Sequence, residues 1–258
     1  MALGCSTALG QISPFTLESK ADKVTVTFYA PRGLPAPTVT GAPYSADQVK
    51  ENVQTLADGT HVTQTRSTSH IMRDSQGRTR TERVITRDPN GWSLGVSEIR
   101  DPVEGLYCIL DQQNKVAHRF ATPAAPTPME VTRPPAQVGT ASPRAQSDGV
   151  HPDTSSEKLG GQMMEGVMVE GERLTTTYPV GAQGNDRPIV TTFEARRSKE
   201  LNTDVIRKIS DPRSGEETFK LTKIERTEPD PALFQIPPDY TIMDEKGSFV
   251  MTVTRHSL

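Results

Sequence analysis

A recurring turn sequence, an aspartate followed three or four residues later by a glycine, most constrains the fold of this chain. The aspartate side chain can accept hydrogen bonds from the backbone ahead of it, and the glycine can adopt the positive φ that closes a hairpin. The pattern predicts a mainly β fold, an antiparallel meander that forms one or two curved, half-barrel-like sheets with few short helices. The turns are Asp74–Gly77, Asp88–Gly91, Asp101–Gly105, Asp211–Gly215 and the shorter Asp58-Gly59.

The stretch SADQVKENVQTLADG, residues 45–59, is compatible with two structures. Ser45 with Gln48 resembles a helix capping box, and apolar residues that follow would share one helical face. The same stretch alternates and runs into the Asp58-Gly59 corner, which favours a strand.

Near the C-terminus, Asp230 and Pro231 fit the cap and first position of a short helix that ends at Phe234. The apolar residues that follow are expected to pack under the second sheet, and the tail GSFVMTVTRHSL alternates like one more strand. The apolar residues of this segment are Leu233, Phe234, Ile236 and Tyr240.

Composition divides the chain and excludes some functions. Residues 122–157 hold seven of the 21 prolines and no aromatic residue, which predicts a disordered linker. It would separate a β-sheet half at 23–121 from a second half at 158–258. The net charge of −3 gives no field that attracts nucleic acid, and no segment is apolar enough to span a membrane.

The first residues, MALGCSTALGQ, resemble the end of a secretory signal peptide, with small residues before Gln11. Residues 1–22 are therefore expected to be a signal-peptide remnant and a flexible N-terminus of a periplasmic or secreted bacterial protein. Two alternatives remain: a lipobox in which Cys5 is lipidated, and an unstructured cytosolic N-terminus. Two cysteines, Cys5 and Cys108, are too few for a disulfide framework.

The segment Arg73–Gly91 carries five arginines in nineteen residues. Strand alternation would place Arg78 and Arg80 on one face and Arg83 on the other, with acidic residues close enough to pair. A surface that stacks bases would need interleaved aromatic residues, which the segment lacks. The pattern favours a solvated strand face with cross-strand ion pairs and no nucleic-acid partner.

Catalytic and cofactor motifs are weak. Gly91, Ser93 and Gly95 match the G-x-S-x-G nucleophile elbow, but that motif requires a strand that turns into a helix, and a hairpin is expected here. The five histidines lack metal-ligand spacing, and no glycine-rich phosphate loop precedes a helix. We expect no catalytic residues, no metal and no cofactor.

The methionine-rich segment GGQMMEGVMVEGE supplies the residues of a hypothetical ligand groove. Methionine is flexible and can line adaptable apolar surfaces, although it more often fills a core. The groove candidates are Met163, Met164, Val167, Met168 and Val169.

Segments such as MRDSQGRTRTERV, ISDPRSGEETFKLTKI and EPDPALFQIPPDYTI resemble an uncharacterised family of exported bacterial proteins. The F-x-I-P-x-x-Y ending is more distantly similar to lipoprotein carriers and envelope-stress sensors, whose half-barrels hold acyl chains under covering helices that this sequence lacks. The resemblance implies a non-enzymatic protein that binds an apolar ligand, a lipid or an acylated partner on a curved sheet. The alternative is a structural or protein-interaction module of the cell envelope without a small-molecule ligand.

Overall fold

The computed structural model describes residues 15–20, 22–30, 37–56, 58–122 and 151–254. These residues form a mainly β structure that is rich in antiparallel strand pairs and contains the parallel pair β14–β8. The strands are β1 Phe15–Lys20, β2 Lys23–Phe28, β3 Tyr44–Thr55, β4 His61–Arg73, β5 Thr79–Arg87, β6 Ser93–Asp101, β7 Leu106–Asp111, β8 Val116–Ala121, β9 Asp153–Met164, β10 Val167–Tyr178, β11 Ile189–Ser198, β12 Thr203–Asp211, β13 Gly215–Glu225, β14 Thr241–Asp244 and β15 Phe249–Thr254. The predicted fold class is confirmed.

The chain divides into two compact units. The first comprises the described residues within Met1–Gln48, Ser67–Ala125 and Lys223–Leu258, and the second those within Val49–Arg66 and Pro126–Thr222. The sequence places residues 223–258 with the second half, whereas their contacts group them with the first unit.

The first unit contains two sheets. One has the strand order β14-β8-β7-β6-β5-β4-β3, and the other has the order β1-β2-β15. Alternate residues of β2 and β15 are buried, as period-two side chains on a half-covered sheet should be. They form one apolar core with residues of β6, β7 and β8. The buried members are Val24, Val26, Phe28, Leu94, Val96, Tyr107, Ile109, Phe120, Phe249, Met251 and Val253.

The second unit contains a sheet with the strand order β13-β12-β11-β10-β9. It also contains the parts of β3 and β4 that fall within Val49–Arg66. The pairs from β9 to β13 are antiparallel. The register shifts between Gly171 and Glu172 and between Arg196 and Arg197, which indicates bulges that increase the local twist.

The predicted turns are confirmed in detail. Asp74 Oδ1 accepts hydrogen bonds from the backbone N–H groups of Gln76 and Arg78 at 3.1 and 2.8 Å. The closing glycines all have positive φ, including +83° at Gly77 and +90° at Gly215. At Gly215 a Cβ would lie 2.5 Å from the carbonyl oxygen of Val53, so the close strand approach also requires glycine.

Several element predictions are confirmed. Residues 45–55 belong to β3, as the alternation favours, and the tail contributes β15. Pro231–Phe234 form a single 3-10 turn, and the Asp230 side chain accepts from the N–H of Ala232 at 2.9 Å.

Other expectations need correction. The N-terminal segment predicted as flexible contains β1, whose strand pairs with β2. The predicted linker overlaps β9, which begins at Asp153, while residues 123–150 lie outside the described residues. The apolar segment after Pro231 packs on the first unit, because Phe234 is buried there and Ile236 and Tyr240 contact a cluster on β6, β7 and β8.

The arginine-rich strand is paired but not solvated. Arg78 bonds Asp74 at 2.6 Å within the turn, and Arg80 bonds Glu82 at 2.8 Å within β5. The predicted cross-strand pairing is confirmed by the ion pair between Arg83 on β5 and Glu98 on β6. Arg73 is buried and donates two hydrogen bonds to the carbonyl oxygen of Ala42. The prediction of a solvated face is wrong because the sheet β1-β2-β15 and the segment around Pro231 cover parts of it.

Candidate apolar groove of the second unit

A shallow groove of about 190 Å³ crosses one face of β10, β11 and β12 in the second unit. Its lining combines apolar side chains, threonines and one ion pair. The lining residues are Leu174, Thr176, Tyr178, Thr191, Thr192, Phe193, Ile209, Asp211 and Arg213. Because all three strands have neighbours on both sides, their backbone groups are already used within the sheet.

Strand register places the apolar centre of the groove. Leu174 lies directly opposite Phe193 on the next strand, and Phe193 lies directly opposite Ile209 on the one after. Opposite residues of an antiparallel pair point to the same face, so the three side chains form one row across the sheet. Leu174 and Phe193 are 39% and 38% exposed, which leaves the row open to solvent.

An ion pair closes one end of the groove. Asp211 accepts hydrogen bonds from Nε and Nη2 of Arg213 at 2.9 and 2.6 Å. These bonds hold the pKa of the Asp211 carboxyl below its usual value and raise the pKa of Arg213. The Arg213 guanidinium also lies 5.7 Å from the ring centroid of Tyr178. Both charges at this end are therefore already compensated.

Arg207 lies on the same face, two residues before Ile209 on β12. It is opposite Ala195 on one neighbouring strand and Phe219 on the other. Its side chain is 7% exposed, and its guanidinium lies 4.5 Å from the ring centroid of Phe219. The Nε atom is buried without a hydrogen-bond partner in the described part of the chain. The sequence did not point to Arg207, because nothing in the pattern of this charged strand indicates that this arginine is buried.

The predicted methionine groove does not coincide with this groove. The register pairs Met168 with Met163 and Val167 with Met164. The first pair is exposed on one face, whereas Val167 and Val169 are buried on the other, so the five candidates do not line one surface. Met168 shares its face with Leu174 but lies six residues away, roughly 20 Å along a strand.

A second cavity, of about 210 Å³, lies in the first unit between β6, β7 and the segment that follows Pro231. Cys108 lines it and is buried, and burial raises the pKa of this thiol to about 11. Phe234 and Ile236 cover the cavity, and Arg80 fixes their segment by a hydrogen bond to the Leu233 carbonyl oxygen.

The G-x-S-x-G residues lie in a hairpin. Gly91 closes the turn with φ of +90°, and Ser93 begins β6, where it pairs with Arg87. Gly95 is within the same strand, so no strand-to-helix elbow presents the hydroxyl of Ser93. Within the described ranges, no three His, Cys, Asp or Glu residues are grouped to hold a metal ion. None of the helices there is long and apolar enough to cross a bilayer.

No protein-family model matches the chain, and no curated protein matches it. Among solved structures, it is similar to one of the complex of MucA and MucB from Pseudomonas aeruginosa, with 15% identity and a TM-score of 0.37. That match covers 79% of this chain and 58% of the other, so the chain spans less than two thirds of its length.

A crystal structure of MucB gives 14% identity, a TM-score of 0.36 and coverage of 77% of this chain and 58% of the other. An outer membrane lipoprotein-sorting protein domain from Vibrio parahaemolyticus gives 7% identity and a TM-score of 0.25, with coverage of 74% and 88%.

Proposed function

We propose that this protein binds an apolar ligand, a lipid or an acylated partner in the groove of the second unit, without converting it. The observation that carries the proposal is the open row of Leu174, Phe193 and Ile209 across three inner strands. Exposed apolar groups that are contiguous on a sheet face favour binding, since covering them removes apolar surface from water. The threonine side chains beside the row are short, so a slender apolar chain can lie along it.

The size of the groove supports a slender ligand. Pockets that enclose a drug-sized molecule measure about 300–1,000 Å³, and this groove is smaller and open along one side. One acyl chain or one apolar segment of a partner matches that shape better than a compact cofactor.

Export to the periplasm or the medium is part of the same proposal. It is supported by the small, uncharged residues before Gln11 and is tested by cell fractionation of the protein expressed with its native upstream region. Recovery only from the cytoplasm would contradict it.

A protein-interaction role has its own supporting observation. Strand β9 ends the strand order of the second unit, and nearly all its residues are exposed. An edge strand of this kind can accept a strand of a partner. The extra residue Leu159 in the β9–β10 register limits such pairing to short segments on either side of the bulge.

The groove is tested with N-phenyl-1-naphthylamine, an uncharged apolar probe that fluoresces when it leaves water. We expect saturable binding that falls at least tenfold in the double variant Leu174→Ser, Phe193→Ser. The matched control is Met163→Ser, Met168→Ser, which removes two exposed apolar side chains elsewhere in the same unit and should leave binding unchanged. If only the control variant lost binding, the methionines would form the binding site. If the native protein did not bind the probe, the proposal would be refuted.

Native mass spectrometry of protein purified from a bacterial envelope, followed by lipid extraction, identifies what the groove holds. A co-purifying lipid that is absent from the Leu174→Ser, Phe193→Ser variant would support the proposal. A clean apo mass together with a silent probe would favour the interaction role.

A further inference from the structure

Arg207 is a buried cation that lacks an anionic partner among the residues that the structure describes. Its side chain is 7% exposed, its contact is the ring of Phe219, and its Nε donor is unused. Burial of a charge is unfavourable unless a counter-charge or hydrogen bonds compensate it. The Arg207 guanidinium therefore lacks a hydrogen-bond acceptor, and an anion would compensate its charge best.

The carboxylates nearest to Arg207 on this face already have other partners. Glu217, opposite Ile209, forms an ion pair with Lys50, and Asp211 forms one with Arg213. Glu172, opposite Ala195 and in the same row as Arg207, accepts a hydrogen bond from the Ser156 hydroxyl at 2.6 Å. Because these carboxylates have other partners, they do not compensate the buried guanidinium of Arg207.

We propose that the ligand of the groove is a single-chain anionic amphiphile, whose carboxylate or phosphate head accepts hydrogen bonds from Arg207. The inference rests on the proposed function of the groove. The geometry supports it because Ile209 is two residues from Arg207 on the same face, and Phe193 is its diagonal neighbour across the β11–β12 pair. Diagonal neighbours lie about 7–8 Å apart, within reach of an arginine side chain. The apolar tail then lies over the row of Leu174, Phe193 and Ile209.

An amphiphile fits this face better than a peptide does. A peptide that binds a sheet by its backbone needs unpaired N–H and C=O groups, which only edge strands offer. Strands β10, β11 and β12 are inner strands, so a peptide over the groove would leave its own backbone unpaired on that side. An acyl chain has no such groups to satisfy.

The experiment compares three probes that differ only in the head: dodecanoate, dodecyl phosphate and dodecanol. Dissociation constants are measured by displacement of N-phenyl-1-naphthylamine from the native protein and from Arg207→Leu, Arg207→Gln and Arg187→Leu. We expect at least one anionic probe to bind tenfold or more tightly than dodecanol. Arg207→Leu and Arg207→Gln should abolish this difference through a loss of affinity for the anionic probe. The control Arg187→Leu should keep the difference, because Arg187 is exposed and does not line the groove.

The outcomes separate the two proposals. Equal binding of the three probes by the native protein, or a preference that survives both Arg207 variants, would overturn the role of Arg207 and leave the apolar groove in place. Absence of binding for all three would overturn the proposed function itself. Thermal unfolding provides a second readout, since Arg207→Leu should not lower the Tm of the ligand-free protein if the charge serves a ligand. A lower Tm with unchanged probe preference would assign Arg207 a structural role through Phe219.

Discussion

Arg83 and Glu98 form a buried ion pair in the first unit, where their side chains are 8% and 9% exposed. They lie on neighbouring strands β5 and β6, and the Tyr107 hydroxyl donates a further hydrogen bond to Glu98 at 2.7 Å. The Arg83 guanidinium also stands 5.4 Å from the ring centroid of Phe15 on β1. Two charges thus lie beside an otherwise apolar core, and each depends on the other.

Removal of one partner should therefore be worse than removal of both. Arg83→Met alone is expected to lower the free energy of unfolding by about 3–5 kcal/mol, because it leaves Glu98 as a buried charge without its cation. The double variant Arg83→Met, Glu98→Leu should lie much closer to the native protein. Urea unfolding of the native protein, both single variants and the double variant measures this. Additive losses in the double variant would contradict a mutually dependent pair.

Cys108 should be inert while the protein is folded. Burial raises the pKa of its thiol to about 11, so the thiolate is scarce at pH 8 and the sulfur is shielded. In a Cys5→Ser background, the reaction with Ellman's reagent at pH 8 should be at least a hundredfold slower than in denaturant. A folded protein that reacts completely within seconds would show that the thiol is accessible.

Asp47 should make stability depend on pH under acidic conditions. His70 Nδ1 and Lys223 Nζ each lie 2.9 Å from its carboxylate oxygens, and these contacts hold the pKa of Asp47 below its usual 3.8. A carboxyl with a depressed folded pKa stabilises the folded state above the unfolded pKa, and the effect disappears as pH falls through the folded pKa.

The stability difference between the native protein and Asp47→Asn should therefore be full above about pH 4 and vanish at lower pH. Unfolding midpoints measured between pH 2 and 6 test this. Asp186→Asn, at an exposed loop position, is the matched control for the loss of one carboxylate. An Asp47→Asn difference that stays constant across the range would refute the assigned pKa direction.

Gly215→Ala should destabilise the protein more than Gly59→Ala does. Both glycines have positive φ, +90° and +85°, so alanine costs about 1–2 kcal/mol at either position. At Gly215 a Cβ would also lie 2.5 Å from the Val53 carbonyl oxygen, whereas at Gly59 nothing lies within 4 Å. Thermal unfolding of the two variants compares them directly, and equal losses would show that the contact with Val53 relaxes freely.

The proline-rich segment should be the first site of proteolysis. Its composition predicts a linker. Arg144, which lies in this segment and outside the described residues, is followed by alanine, so trypsin can cleave the Arg144–Ala145 bond. Limited digestion should first produce two large fragments that meet near residue 144. Because β14 and β15 pair within the first unit, the fragments should remain associated under native conditions. Earlier cleavage at another arginine would contradict the proposed linker.

The amino-acid sequence by itself determined the features that depend on near neighbours. Each Asp-to-Gly turn forms because an aspartate oxygen meets backbone N–H groups two to four residues ahead and the glycine accepts positive φ. Alternation along β10 likewise separates the buried Val167 and Val169 from the exposed Met168. These are local properties, so reading along the chain was sufficient to predict the class of fold and the order of its hairpins.

Tertiary structure decided the features that depend on register between strands. A shift of one residue in pairing moves every side chain to the opposite face, and no local pattern fixes that choice across several strands. Register alone aligns Leu174, Phe193 and Ile209 into an open row and leaves Arg207 buried beside it. The same dependence explains why the sequence favoured the methionines as groove residues. The flexibility of methionine can be read from the sequence, whereas the distance of these methionines from the groove depends on how the strands pair.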